Sequence, residues 1–223
     1  MTSPFDVIVP AALPDAIPIF PLNGVLLLPR GKLPLNIFEP RYLAMTRDAL
    51  AAPDRLIGMI QPTEQETTEA DNAPPVYSIG CAGRIVAFEE TDDGRYLITL
   101  RGLCRFRVGQ ELEGRSGYRR VAADFRPYIG DLAAPRDAIP DRNRLLAMLR
   151  AYFTRHNIKG DWNAIAETED DRLVNLLAML CPFAPQEKQA LLEAPDLAAR
   201  SRLMIALFEL AMMDKDGETE ARH

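Results

Sequence analysis

Few residues of this chain could do chemistry, and their spacing defeats most of the reactions they suggest. Gly24 to Lys32 comes nearest to a phosphate-binding loop, but six residues separate Gly24 from Gly31, and Leu33 follows Lys32. Such a loop needs four intervening residues and a Ser or Thr hydroxyl for magnesium, so the match fails. The four serines (Ser3, Ser78, Ser116 and Ser201) form no Gly-x-Ser-x-Gly elbow, and none lies beside a suitable base. There are two histidines, and His223 is the last residue. Zinc binding or histidine catalysis would therefore rest on His156, whose place near the end of a predicted helix suits charge complementarity with the helix dipole instead. Cys81, Cys104 and Cys181 include no Cys-x-x-Cys pair, which fits free thiols in a reducing cytoplasm. Cys104 falls on the apolar face of a strand, as an inert core thiol would. Glu89-Glu90 and Asp92-Asp93 flank a hairpin tip and should be solvated. No catalytic residue, metal ligand set or cofactor is expected.

The elements that would position any site come in two styles. The 223 residues carry 26 basic and 32 acidic side chains and are 48% apolar, values of an ordinary globular chain. No apolar run approaches the ~20 residues of a membrane span, and Asp6 with no basic stretch before it argues against a signal peptide. Up to about Tyr128, short β-branched and aromatic runs are broken by Pro, Gly and Asp. Period-two alternation places Cys104, Phe106 and Val108 on one face of a strand and Arg105 and Arg107 on the other. Tyr96, Ile98 and Leu100 alternate likewise after the turn Thr91-Asp92-Asp93-Gly94. Further strands are predicted at Ile17 to Leu22, Gly24 to Leu28, Leu33 to Phe38, Arg55 to Gln61, Val76 to Glu90 and Tyr118 to Phe125. One helix, Pro40 to Ala51, interrupts them with Pro40 in its first turn. Glu64, Glu66, Glu69 and Asp71 read as a polar loop. So many short strands suggest a closed or nearly closed barrel, which hides its edges.

From about Asp141 to Met213 the chain is helical. Leu145, Leu149 and Phe153 trace one stripe; Asp161 should cap a short helix holding Trp162 and Ile165. Leu173, Val174, Leu176, Leu177 and Leu180 form a helix ended by Pro182, Pro185 opens another through Leu192, and Pro195 opens the last. Each stripe reads as a core face. Three prolines and Gly130 between Pro127 and Pro140 mark a linker. The expected organisation is thus a β-barrel over residues 15–128, a linker over 129–140 and a helical bundle over 141–213, with loose ends outside them.

Charge limits the partners. Residues 1–130 hold 14 Lys/Arg against 16 Asp/Glu, and the remainder 12 against 16. Neither half supplies the basic field that drives phosphate binding, and only four lysines exist. The six arginines between Arg101 and Arg120 are read as an exposed strand face, with an anion or partner site as the alternative.

One run of sequence is specific. Ile17-Pro18-Ile19-Phe20-Pro21-Leu22, Leu28-Pro29-Arg30-Gly31 and Leu33-Pro34-Leu35-Asn36-Ile37-Phe38-Glu39-Pro40-Arg41-Tyr42 resemble the opening of the N-terminal domain of the ATP-dependent Lon protease. The resemblance continues through Ile79 to Ile85, Gly94-Arg95-Tyr96, Gly102 to Val108 and Lys188 to Glu193, covering roughly residues 15–213. It implies an α+β architecture, a six-stranded PUA-like β pseudo-barrel followed by a helical bundle. It also implies a non-enzymatic, cytoplasmic substrate-recognition module in protein quality control, because the family's ATPase and Ser-Lys peptidase lie in other domains that nothing in these residues matches. Its partners would be unfolded or partly folded polypeptides, or the full-length protease. The alternative is a PUA-like nucleic-acid binder, which the acidic balance opposes. Cys81 and Ala184 depart from the family pattern, which commonly has Thr or another small residue at the first place and a capping Ser or Thr at the second. The candidate binding residues are Phe38, Glu39, Arg41 and Tyr42 at the strand-to-helix corner, with Arg105 and Arg107 on the arginine-bearing strand. Without the family, Glu39, Arg41 and Tyr42 also make sense as groups that hold the helix on the barrel.

Overall fold

The computed structural model describes residues 13–63, 74–133 and 138–213. The chain divides into two compact units, residues 1–134 and 135–223. The acidic loop predicted around Glu64 to Asp71 lies outside the described residues, as do both predicted loose ends except Leu13 and Pro14.

The first unit is a mixed sheet that nearly closes on itself. Its strands are β1 (Ala16–Pro21), β2 (Lys32–Ile37), β3 (Leu56–Ile60), β4 (Ile79–Glu90), β5 (Tyr96–Arg115) and β6 (Tyr118–Asp124), with helix α1 (Pro40–Ala51) between β2 and β3. The strand order is β2-β5-β4-β3-β1-β6, and β6 pairs back onto β5. Five strands therefore form a ring with β2 attached outside it. Only β1 and β3 run parallel among the paired strands. The twenty residues of β5 serve both ends: Tyr96 to Arg101 pair with β2, and Arg107 to Arg115 pair with β6. Inside the ring Ile17, Ile19, Leu56, Ile60, Cys104, Phe106 and Val121 make one apolar cluster. Gly58 and Gly80 make room for the Phe106 ring, since a Cβ at either would lie within 2.8 Å of it. At the far end of β5, Ser116 and Gly117 both take positive φ, as a two-residue turn between right-twisted strands requires.

Three local expectations change. Gly24 to Leu28 is not a strand. Leu26, Leu27 and Leu28 are buried, but as an irregular segment that crosses β5: Arg30 N–H donates to Gly102 O (2.8 Å) and Gly102 N–H to Gly31 O (2.9 Å). A Cβ on Gly102 would lie 2.1 Å from Leu28 O, so only glycine admits this crossing. Residues 129–132, expected to begin a linker, belong to a 3-10 turn over Arg126–Leu132 that packs on β5. The arginine-bearing face of β5 is consequently not exposed throughout; Arg105 lies beneath that turn at 5% exposure.

The second unit contains α2 (Arg142–Arg155), α3 (Trp162–Glu167), α4 (Asp170–Leu180), α5 (Pro185–Glu193) and α6 (Leu197–Met213). Asp141 and Asp161 accept from backbone N–H groups at the starts of α2 and α3 (3.1 Å each). Ala184 has no side-chain oxygen, and Glu187 Oε2 instead accepts from its N–H (2.7 Å) at the start of α5. The last helix starts at Leu197 rather than at Pro195, because Asp196 caps it through Ala199 N–H (2.7 Å). Tyr152, Phe183 and Phe208 pack at centroid distances of 4.9 and 5.4 Å. On α4, Leu173, Val174 and Leu177 are buried while Leu176 and Leu180 are exposed. Five apolar residues at these positions span more than one face of a helix, so the stripe could not all be core.

Candidate functional site

The Pro-punctuated corner between β2 and α1 is built from its backbone upward. Glu39 takes an extended conformation (φ −69°, ψ 133°) and Pro40 opens α1 with its fixed φ. The Glu39 side chain makes no cap hydrogen bond; its Oε2 accepts from Arg41 Nε (2.9 Å) and lies 2.8 Å from Arg41 Nη2. The Arg41 guanidinium in turn sits 4.7 Å from the Tyr42 ring, whose centroid is 4.2 Å from that of Phe20. Tyr42 is 7% exposed, and burial pushes its hydroxyl pKa up against the lowering effect of Arg41. Tyr42 thus joins the helix to β1, while Glu39 and Arg41 pair with each other beside it. Phe38 differs: it is 61% exposed, with Arg95 5.9 Å from its ring.

A depression of about 170 Å³ lies at this corner, lined by Pro21, Arg41, Tyr42, Pro62, Tyr118 and Arg119 among others. Tyr118 Oη donates to Asp48 Oδ2 on α1 (2.7 Å). Burial, then that hydrogen bond, pushes the Tyr118 pKa up to about 12. Arg119 grips both carboxylate oxygens of Glu111 (2.7 Å each) and donates to Pro74 O (2.7 Å). The hydrogen bonds from Arg119 hold the Glu111 carboxyl below its ordinary range. Tyr118 is not singled out by the sequence, and Arg119 enters there only as one of the six arginines between Arg101 and Arg120. The signal was Ser116-Gly117, whose tight turn sets β6 against β5 and brings Arg119 back towards Glu111.

The two β5 candidates separate. Arg107 is exposed and opposite Asp124 in the ladder. Arg105 is buried, with its N–H, Nε and Nη2 all donating to Asp131 (3.0, 2.9 and 2.9 Å) and its guanidinium 4.7 Å from the Tyr128 ring. Burial opposes its charge, but Asp131's hydrogen bonds and charge outweigh this and leave its pKa raised. Arg105 therefore fastens the 3-10 turn to the barrel; the expectation that it shares an exposed face with Arg107 is corrected. Cys104 beside it is buried, donates to Tyr128 O (3.1 Å) and is pushed up to about 12, first by burial and then by Asp131. His156 ends α2 with its ring 4.2 Å from Tyr152. Among the described residues no group of three or more His, Cys, Asp or Glu side chains could hold a metal ion.

The model of the ATP-dependent protease La (Lon) substrate-binding domain matches residues 16–209. The chain belongs to the Lon substrate-binding domain family. It is 30% identical over 210 residues to Lon protease 2 of Sorangium cellulosum, covering 86% of this chain and 24% of that protein. Against Lon protease 2 of Myxococcus xanthus it is 29% identical, with 87% and 24% covered. The chain thus spans about a quarter of the length of these curated relatives. Two solved structures share the fold. The Lon N-terminal domain protein from Xanthomonas campestris superposes with a TM-score of 0.60 at 23% identity, covering 86% of this chain and 97% of its own. The N-terminal domain of the Mycobacterium avium complex Lon protease gives 0.61 at 18%, covering 87% and 98%. The six-stranded sheet followed by helices is accordingly the α+β architecture of the Lon N-terminal domains.

Proposed function

We propose that this Lon-type domain is a non-enzymatic module that binds unfolded or partly folded polypeptides in protein quality control, and that it also meets the full-length Lon protease. The observation that carries this reading is the family match over residues 16–209. Three features of the molecule support it. Phe38 presents an exposed aromatic ring at a corner whose other members are held by ion pairing and packing, and exposed apolar groups are common at contact surfaces. The described polar residues near that ring (Glu39, Arg41, Asp93 and Arg95) pair with one another rather than forming a nucleophile-base constellation. Three buried cysteine thiols fit the reducing cytoplasm. In this reading Phe38 contacts the ligand, Glu39 and Arg41 border the contact, and Tyr42 shapes the corner from inside; Arg107, exposed further along β5, is a separate candidate.

The test is fluorescence anisotropy with labelled, denatured casein, alongside ATP hydrolysis and casein cleavage assays on the same preparation. The expected result is micromolar binding, corresponding to about −8 kcal/mol, with neither hydrolysis nor cleavage. ATP-dependent cleavage that survives rigorous purification would overturn the non-enzymatic part, and undetectable binding would overturn the rest.

A further inference from the structure

We propose that the outward face of the β2–β5–β4 sheet is a peptide-docking surface selective for extended segments whose apolar residues are flanked by Lys or Arg; this rests on the polypeptide-binding reading above. The ladder places Asn36, Leu97 and Glu89 in one row, and Pro34, Thr99 and Ala87 in the next. Alternate residues of the same strands (Ile37, Tyr96 and Ile98) point inward and are buried. The outward rows line a shallow depression of about 440 Å³. Leu97 within it is 40% exposed, and Phe38 continues the outward side of β2. An apolar path therefore runs from Phe38 past Leu97 towards Pro34 and Ala87.

Charge selects the occupant. Beside this path, Glu89 in the outward row and Asp92 at the β4–β5 turn are exposed. Arg95 lies nearby but is engaged by Asp93 (2.8 Å). Lys32 and Arg101 pair across the other end of the face. The end carrying Phe38 and Leu97 is thus acidic, and a chain with net charge −6 disfavours acidic ligands further. Docking uses the face rather than the free edge of β2. Pro34 sits mid-strand without an N–H, so an incoming strand would find a donor missing from the ladder there.

The test uses two labelled peptides with the same Leu/Phe centre, one flanked by Lys and one by Glu, read by anisotropy at low and high salt. The Lys-flanked peptide should bind wild type about fivefold more tightly at low salt, with the preference collapsing at about 0.5 M salt. Phe38→Ala and Leu97→Ser should weaken it about threefold or more, and Glu89→Lys with Asp92→Lys should abolish or reverse the preference. Asn36→Arg, at an exposed position in the same row, keeps the test valid if Leu97→Ser disturbs folding; it should reduce Lys-flanked binding comparably. Wild-type binding that these changes leave untouched, or equal affinity for the two peptides, overturns the docking surface and spares the general reading. No binding of either peptide or of denatured casein overturns both.

Discussion

A single carboxylate, Asp131, accepts three hydrogen bonds from a single residue, Arg105: one from its backbone and two from its guanidinium. Both side chains are at least mostly buried, at 6% and 12% exposure. Removing one partner leaves the other charge in a dry site, which is costlier than the pair itself is stabilising. Asp131→Ala should therefore destabilise the first unit by about 3–5 kcal/mol in urea unfolding, and Arg105→Met with Asp131→Leu together should recover much of the loss. A cost below about 1 kcal/mol for Asp131→Ala would mean that the pair is solvated in solution.

Phe106 and Arg107 are neighbours with opposite exposure. Phe106→Ala should cost about 3–5 kcal/mol by emptying the space between Gly58 and Gly80, whereas Arg107→Ala should stay within about 0.5 kcal/mol. Equal losses in a denaturant titration would contradict the strand orientation.

Gly102→Ala should be more damaging than Gly94→Ala. Both positions are glycine, but only Gly102 meets Leu28 O, at 2.1 Å from an added Cβ, while nothing lies within 4 Å at Gly94. The Gly94 change still strains a backbone at φ 78° and should cost about 1 kcal/mol. The Gly102 change should lower the thermal midpoint of the first unit by several times that effect.

Alkaline pH should weaken both units. Cys104 and Cys181 are pushed up to about 12, chiefly by burial, and Tyr118 likewise by burial and Asp48. These folded-state values lie above those of the unfolded chain, near 8.5–9 for Cys and 10 for Tyr. Their contribution is therefore intact below about pH 8.5 and is lost as pH rises towards 12, by at most about 1.4 kcal/mol per pH unit for each group. Urea midpoints measured from pH 7 to 11 should be flat and then decline. Cys104→Ala and Tyr118→Phe should each shallow the decline of the first unit, and an unchanged slope would count against the assignment.

Much of this was legible in the sequence, and the exceptions have physical causes. Alternation marked β5 at Tyr96 to Leu100 because only one face there meets the core, whereas Leu56 to Ile60 of β3 is buried on both faces and was legible only as a short apolar run. Beyond Val108 alternation failed to show that β5 continues, because Gly109 to Arg115 is exposed or half-exposed on both sides and carries no apolar period. Leu26 to Leu28 looked like a strand because burial alone demands apolar residues, whatever the backbone does. Arg105 looked exposed because one strand cannot reveal that a turn 26 residues later covers its second face. At the corner, the text around Pro40 located Phe38, Glu39, Arg41 and Tyr42 together, but not which rings point out. The alternation of Tyr96, Ile98 and Leu100 puts Leu97 on the opposite face, yet its place beside Asn36 depends on register between distant strands.

The closure of the ring has a consequence for the chain as it leaves the ribosome. β1 lies between β3 and β6, with Ile19 beside Gly58 and Ala16 beside Ala122. About 100 residues separate Ala16 from its last neighbour, so at about 5–20 residues per second the first strand waits roughly 5–20 s for it. During that interval Ile17 and Ile19 have no completed interior to enter. A translational pause before β6 has emerged from the ribosome would lengthen the exposure, whereas one after its emergence would not.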